Sequence, residues 1–232
     1  MAFDSKDIKA VLFDIDNTLL DFNKCARWAI YRAAEEMDIF LPDNAYDVFK
    51  SINDELWSQV EQEKISVRTL HEIRFCRIFE ALQIASDGHR MEELFFGNLA
   101  KSTEKEEGAV GLLASISQKY ECYAASNAQY DQQVTRLKGA GLLPYFSGIF
   151  VSGDIGFSKP HPGFFDACFT ELYGIKPEES IFIGDSITAD IKGAYEYGMH
   201  SIWYNKNKSK EGCPMADYTF ESLKDIETFL LK

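Results

Sequence analysis

The chain has 232 residues, 46% hydrophobic and 26% charged, a globular balance long enough to bury a core without disulfides or structural metals. Its 37 acidic and 24 basic residues give a formal net charge of -13 at pH 7. A surface that acidic repels phosphate backbones and anionic lipid, so nucleic-acid polymers and membrane surfaces are not expected partners, and any anionic substrate must be held by a local device such as a metal ion, a lysine or backbone amides.

In chain order, the first predicted strand is the apolar run Ala10 to Phe13, which breaks into the polar cluster Asp14-Ile15-Asp16-Asn17-Thr18. From Asn23 to Glu104 there is no strand pattern. Apolar residues recur instead at helical spacing: Ala26, Ile30, Ala33, Ala34 and Met37; then Val48, Ile52, Leu56 and Val60; then Leu70, Ile73, Ile78 and Leu82, with Arg77 interrupting the stripe. A fourth helical stretch runs from His89 to Lys101. Pro42 and Asp43 separate the first two stretches, and Ser66 is placed to cap the third.

After Gly108 helices and strands alternate. The predicted order is helix Val110–Lys119, strand Cys122–Ser126, helix Asp131–Ala140, strand Gly148–Val151, helix Gly163–Tyr173 and strand Ser180–Ile183. Helix Thr188–Tyr197, strand Ser201–Tyr204, a short strand near Tyr218 and helix Leu223–Leu231 follow. Alternation of this kind predicts an α/β fold, a Rossmann-like parallel sheet with helices on both faces. Residues 1–20 and 105–232 are expected to form this core, and residues 21–104 an inserted all-helical domain.

The five cysteines (Cys25, Cys76, Cys122, Cys168 and Cys213) are scattered and form no C-x-x-C pair, as expected of idle thiols in a reducing compartment. No run is long enough to cross a membrane, and the polar stretch from Met1 to Lys9 leads straight into a strand, so a cytoplasmic location without a signal peptide is expected.

Ligands of open parallel sheets bind at the C-terminal ends of the strands. This chain puts Asp14 and Asp16, then Ser126-Asn127, then Ser158-Lys159-Pro160, then Gly184-Asp185-Ser186 with Asp190 at or just beyond successive strand ends. Taken singly each is ordinary: an Asp at a strand end is a turn or cap residue, and Lys159 a solvated loop lysine. Their joint placement at one rim is what points to chemistry. Clustered carboxylates raise one another's pKa, and a divalent cation resolves the repulsion. Hard oxygen ligands suit magnesium. Asp14 and Asp16, two residues apart, share one face if strand geometry continues, so that one attacks while the other moves protons.

These four segments resemble the motifs of the haloacid dehalogenase superfamily of phosphohydrolases: Phe13–Leu19 as D-x-D-x-T, Ser126-Asn127, Lys159-Pro160, and Gly184-Asp185-Ser186 with Asp190. The helical insertion after the first motif is similar in position to that superfamily's helical cap, which should close over the site and choose the leaving group. The resemblance implies Asp14 as nucleophile, Asp16 as general acid and base, and Lys159 as a catalytic cation. It implies a magnesium ion on the Asp14 carboxylate, the Asp16 carbonyl and Asp185, with Asp190 a water-mediated ligand. Ser126, the Asn127 amide and Lys159 would bind the phosphoryl oxygens of a small phosphorylated metabolite. The sequence departs from the usual pattern at Asn127-Ala128, where glycine more often follows the asparagine.

Thr18–Phe22, Asn53–Trp57, Arg74-Phe75, Gly153–Pro160 and Trp203-Tyr204-Asn205 look like the YjjG-type pyrimidine 5′-nucleotidases, which implies a nucleoside 5′-monophosphate substrate. Among rival readings, dehalogenases lack the counterpart of Asp16. A sugar-phosphate phosphatase or a phosphomutase would keep all four motifs. A non-catalytic binding protein has no use for the full charged set. Phe22, Trp28, Trp57, Arg68, His71 and Arg74 are the aromatic and basic candidates for leaving-group contacts.

Overall fold

A computed structural model describes residues 7–232. Six strands form one parallel sheet: β1 (Ala10–Phe13), β2 (Glu121–Ser126), β3 (Gly148–Val151), β4 (Ser180–Gly184), β5 (His200–Tyr204) and β6 (Tyr218–Phe220), in the order β3-β2-β1-β4-β5-β6. All of β1 and β4 is buried, as central strands covered on both faces must be. The two-residue side-chain period divides them cleanly. Val11, Phe13, Ile181 and Ile183 enter one core with α5 (Ala109–Ile116) and α10 (Leu223–Leu230). Ala10, Leu12 and Phe182 enter the other with α8 (Pro162–Glu171) and α9 (Lys192–Tyr197). From β1 the chain winds outward through β2 to β3, then returns across β1 to β4 and winds the other way. The strand order therefore reverses between β1 and β4, where ligands of such sheets bind.

The chain divides into two compact units, Met1–Phe22 with Thr103–Lys232, and Asn23–Ser102. The second is carried by four helices, α1 (Phe22–Glu36), α2 (Ala45–Glu61), α3 (Val67–Leu82) and α4 (Gly88–Leu99). Ser66 caps α3 by accepting the Thr69 N–H at 3.0 Å. Arg77, the break in the α3 stripe, reaches across to Glu55 on α2 at 2.9 Å. The rings of Phe49, Phe75 and Phe95 pack together at 5.2 to 5.8 Å. Arg74 is not a surface residue: its guanidinium is buried against those rings, bonded to Glu92 on α4 and to Asn53 on α2.

One predicted helix differs. Instead of a regular helix from Thr188, a π-helical turn spans Ile187–Ile191 before α9 begins at Lys192. The Ser186 carbonyl accepts from both Asp190 and Ile191 N–H at 3.1 Å, a widened turn that apolar periodicity cannot distinguish from α. A short helix, α7 (Ser152–Ile155), also follows β3. No helix among the described residues is long and apolar enough to cross a membrane, and all five cysteines are free thiols.

Candidate active site

The backbone after β1 does not continue as a strand. Asp14 N–H still bonds to the Ile183 carbonyl at 2.9 Å, but Leu19 and Leu20 N–H both turn back to Ile15 O, and Asn17 takes a positive φ of 65°. Asn tolerates that conformation better than most residues. The shared face expected for Asp14 and Asp16 is therefore replaced by a tight loop that sends their carboxylates to different partners.

Asp14 faces Lys159. The lysine is buried, and its ammonium spends its three donors on Asp14 Oδ1 at 2.8 Å, Asp190 Oδ1 at 2.7 Å and the Ala125 carbonyl at 2.8 Å. Burial works against the ammonium, but Asp14 and Asp190 outweigh it and hold its pKa above the ordinary lysine value. Burial pushes the Asp14 carboxyl up to about 7. Lys159 opposes that rise, while Asp190 and Asp16 add to it.

Asn127 shapes the same corner. Its Oδ1 accepts the Lys159 backbone N–H at 2.7 Å and its Nδ2 donates to the Lys159 carbonyl at 2.9 Å. This two-point clasp ties the end of β2 to the lysine loop, so the Asn127 side chain holds Lys159 in place. Ser126 Oγ lies beside it and accepts from Gln133 Nε2 at 2.9 Å.

At the end of β4, Asp190 returns from the π turn so closely that its Oδ2 would lie 2.2 Å from a Cβ at position 184. Only glycine fits there. That same Oδ2 accepts the Ser186 N–H at 3.0 Å. Trp203 on β5 donates its indole N–H to the Asp185 carbonyl at 3.0 Å, fixing the backbone that carries Asp185. Burial, then the charges of Asp14 and Asp190, pushes the Asp185 carboxyl well above the usual carboxylate range, against the pull of Lys206 and Lys159.

Asp14, Asp185 and Asp190 each offer a carboxylate oxygen, all within 4.8 Å of one another. Three hard oxygen donors at that spacing, two of them with pKa values raised by burial and by neighbouring carboxylates, are what a small divalent cation would relieve. Because Lys159 and the Ser186 amide already occupy the two oxygens of Asp190, Asp14 and Asp185 are the better placed direct ligands.

The rim thus brings Asp14, Asp185, Asp190, Lys159 and Ser126 together, and the Asp16 side chain takes a separate set of partners beside Ser126. Asp16 Oδ1 accepts from Arg136 Nη1 at 2.6 Å, and Oδ2 from Gln133 Nε2 at 2.7 Å. Gln133 and Arg136, on α6 (Tyr130–Gly139), escaped sequence reasoning, as did Trp203 as an anchor for Asp185 and Lys206, which bonds Glu106 and, at 3.2 Å, Asn17 Oδ1. In α6, Gln133 and Arg136 share the helical spacing of Leu137 and Ala140 and all four are buried, but with two of the four polar the stripe does not read as an apolar face.

A model of haloacid dehalogenase-like hydrolases matches residues 8–198. The chain is 32% identical to YfnB of Bacillus subtilis over 224 residues, 97% of this chain and 95% of that protein. It is 32% identical over 222 residues to the pyrimidine 5′-nucleotidase PynA of Streptococcus pneumoniae, 94% of each. To the pyrimidine 5′-nucleotidase YjjG of Escherichia coli it is 24% identical over 223 residues, 96% of this chain and 97% of that one. The crystal structure of magnesium-bound YfnB matches with a TM-score of 0.91 and 29% identity, covering 97% of this chain and 99% of that one.

Proposed function

This chain belongs to the haloacid dehalogenase-like hydrolases, and on that premise we propose that it is a magnesium-dependent phosphatase that cleaves nucleoside 5′-monophosphates, pyrimidine favoured, through an aspartyl-phosphate on Asp14. The observation that carries the reading is the buried Asp14–Lys159–Asp190 chain with Asp185 beside it and Asp16 on the same loop.

Asp14, fixed through Oδ1 by Lys159, attacks phosphorus. The P–O bond to the leaving group breaks, and Asp16 gives its proton to the departing oxygen. Water then attacks the acyl phosphate while Asp16 takes up its proton, releasing inorganic phosphate and restoring Asp14. Ser126 and the backbone amide of Asn127 offer donors to the phosphoryl oxygens, and the Lys159 ammonium, whose three donors go to Asp14, Asp190 and the Ala125 carbonyl, supplies positive charge beside them. Asp190 acts through Lys159 and the Ser186 amide. Magnesium, held by the carboxylates of Asp14 and Asp185 and by the Asp16 carbonyl, would supply positive charge against the repulsion between nucleophile and phosphoryl group. The pyrimidine preference draws on the names of the PynA and YjjG relatives.

The test is phosphate release from pyrimidine and purine monophosphates beside hexose and triose phosphates, without a bisphosphate activator. Pyrimidine nucleotides should give the highest kcat/KM. A sugar phosphate exceeding every nucleotide tenfold, about 1.4 kcal/mol of transition-state discrimination, overturns the nucleotide assignment. Turnover only with a bisphosphate activator overturns hydrolysis in favour of phosphoryl transfer between substrates.

A further inference from the structure

Gln133 and Arg136 are fully buried one turn apart on α6, and the two side chains close a ring of hydrogen bonds around Asp16. Arg136 Nη1 donates to Asp16 Oδ1 at 2.6 Å and to Gln133 Oε1 at 3.1 Å. Gln133 Nε2 donates to Asp16 Oδ2 at 2.7 Å and to Ser126 Oγ at 2.9 Å. The orientation of the amide is forced. A guanidinium only donates, so Gln133 must turn its oxygen to Arg136, which leaves both amide hydrogens for Asp16 and Ser126. Each carboxylate oxygen of Asp16 then has a donor from the same helix, and the plane of the group is fixed. Ser126, having accepted from Gln133, keeps its own O–H proton to donate elsewhere.

A buried guanidinium is not explained by stability alone, because an apolar side chain at the same place would serve a core as well. Its position is explained by the neighbour it serves. When Asp16 protonates a leaving oxygen it acquires a negative charge, and Arg136 stands where that charge appears.

We propose that Gln133 and Arg136 are positioning residues for the acid–base step: they hold the Asp16 carboxylate for proton transfer and free the Ser126 hydroxyl to donate to the phosphoryl group. The assignment rests on the phosphatase reading above. In the step concerned, the Asp14 oxygen–phosphorus bond forms, the ester P–O bond breaks, and the Asp16 proton passes to the departing oxygen.

The experiment compares kcat/KM for a nucleoside 5′-monophosphate, whose alkoxide needs a proton, with that for 2,4-dinitrophenyl phosphate, whose leaving group does not. For Arg136→Met the nucleotide value should fall by about 100-fold and the dinitrophenyl value by about threefold at most; for Gln133→Leu, which also releases Ser126, both values should fall, the nucleotide value at least about tenfold further than the dinitrophenyl value. Arg136→Lys should restore part of the nucleotide activity. Circular dichroism and melting temperature report folding. If Arg136→Met does not fold, Gln133→Leu and Arg136→Lys carry the test. Equal losses on both esters overturn the assignment, since a structural role alone would not distinguish leaving groups. Asp16→Asn separates the two readings. If Asp16→Asn shows the leaving-group selectivity and the α6 variants do not, the α6 assignment alone fails. If Asp16→Asn shows none, the acid–base reading fails and takes the assignment with it.

Discussion

Asp14 is an anion-forming side chain buried on a strand end, where it is costly to ionise, and it is kept there by an ammonium that is equally costly to bury. Neither would be stable alone. Together with Asp190 they make a buried row in which one lysine meets two carboxylates, leaving an excess of negative charge for a cation to meet. Replacing Asp14 by Asn removes the nucleophile and one of these anions while Asp190 still holds Lys159. Asp14→Asn should therefore fold, release no phosphate above background, and lose most of the rise in melting temperature that magnesium gives the parent protein, since stabilisation by a ligand follows its affinity. Turnover in the purified variant, free of parent protein, would rule out the covalent route. The strand-end residues were legible because alternating βα units say where strand ends gather. Gln133 and Arg136 were not, because within an amphipathic helix a Gln or an Arg ordinarily belongs to the solvated face. The Asp14/Asp16 geometry was missed because a loop held by backbone bonds, Leu19 and Leu20 to Ile15, has no periodicity to read.

Among the elements, α3 and α4 show the same pattern of a charge set in an apolar stripe. Arg74 lies between Leu70 and Ile78 on the buried side of α3 and is joined to Glu92 on α4, which also bonds His71 at 2.8 Å. Burial tends to raise the Glu92 carboxyl, but Arg74, and after it His71, pulls it below its ordinary value of 4.5. A lowered native pKa means that the unfolded chain binds more protons, so this contribution is complete above 4.5 and is lost as pH falls through the native value. Arg74→Met leaves Glu92 buried without its main partner and should cost about 3–5 kcal/mol at pH 7. Acid neutralises the stranded carboxyl, so the gap between parent and variant should narrow markedly at pH 4. Urea denaturation followed by tryptophan fluorescence would measure it, Trp28 and Trp57 lying within this helical unit. A gap unchanged with pH would mean that Arg74 acts by packing rather than charge. The helices of this unit were readable from apolar spacing, but the Arg74–Glu92 pair was not, because pairing across two helices leaves no mark in either one's period. The same limit applies to the π turn at Ile187–Ile191.

For the whole molecule the governing quantity is charge. A formal net charge of -13 sets up a repulsive field for any polyanion, while the proposed site offers a phosphoryl group only the short-range attraction of a cation, a buried lysine and a few amides and hydroxyls. A mononucleotide brings a single phosphate and meets the field once. An oligonucleotide ending in the same 5′-phosphate drags a row of charges along the acidic surface behind it. The field reaches about 10 Å at 0.1 M salt and about 3 Å at 1 M, so the trailing phosphates are felt at low salt and largely hidden at high salt. We predict that kcat/KM for the 5′-phosphate of a 20-nucleotide single strand falls at least about tenfold below that of the matching mononucleotide at 0.05 M salt. The ratio should move toward unity as salt rises to 0.5 M with free magnesium held constant. Varying salt separates the two physical causes of such a preference. Exclusion by shape would give the same ratio at every ionic strength, so a constant ratio would sink the electrostatic explanation even if the oligonucleotide proved the poorer substrate throughout.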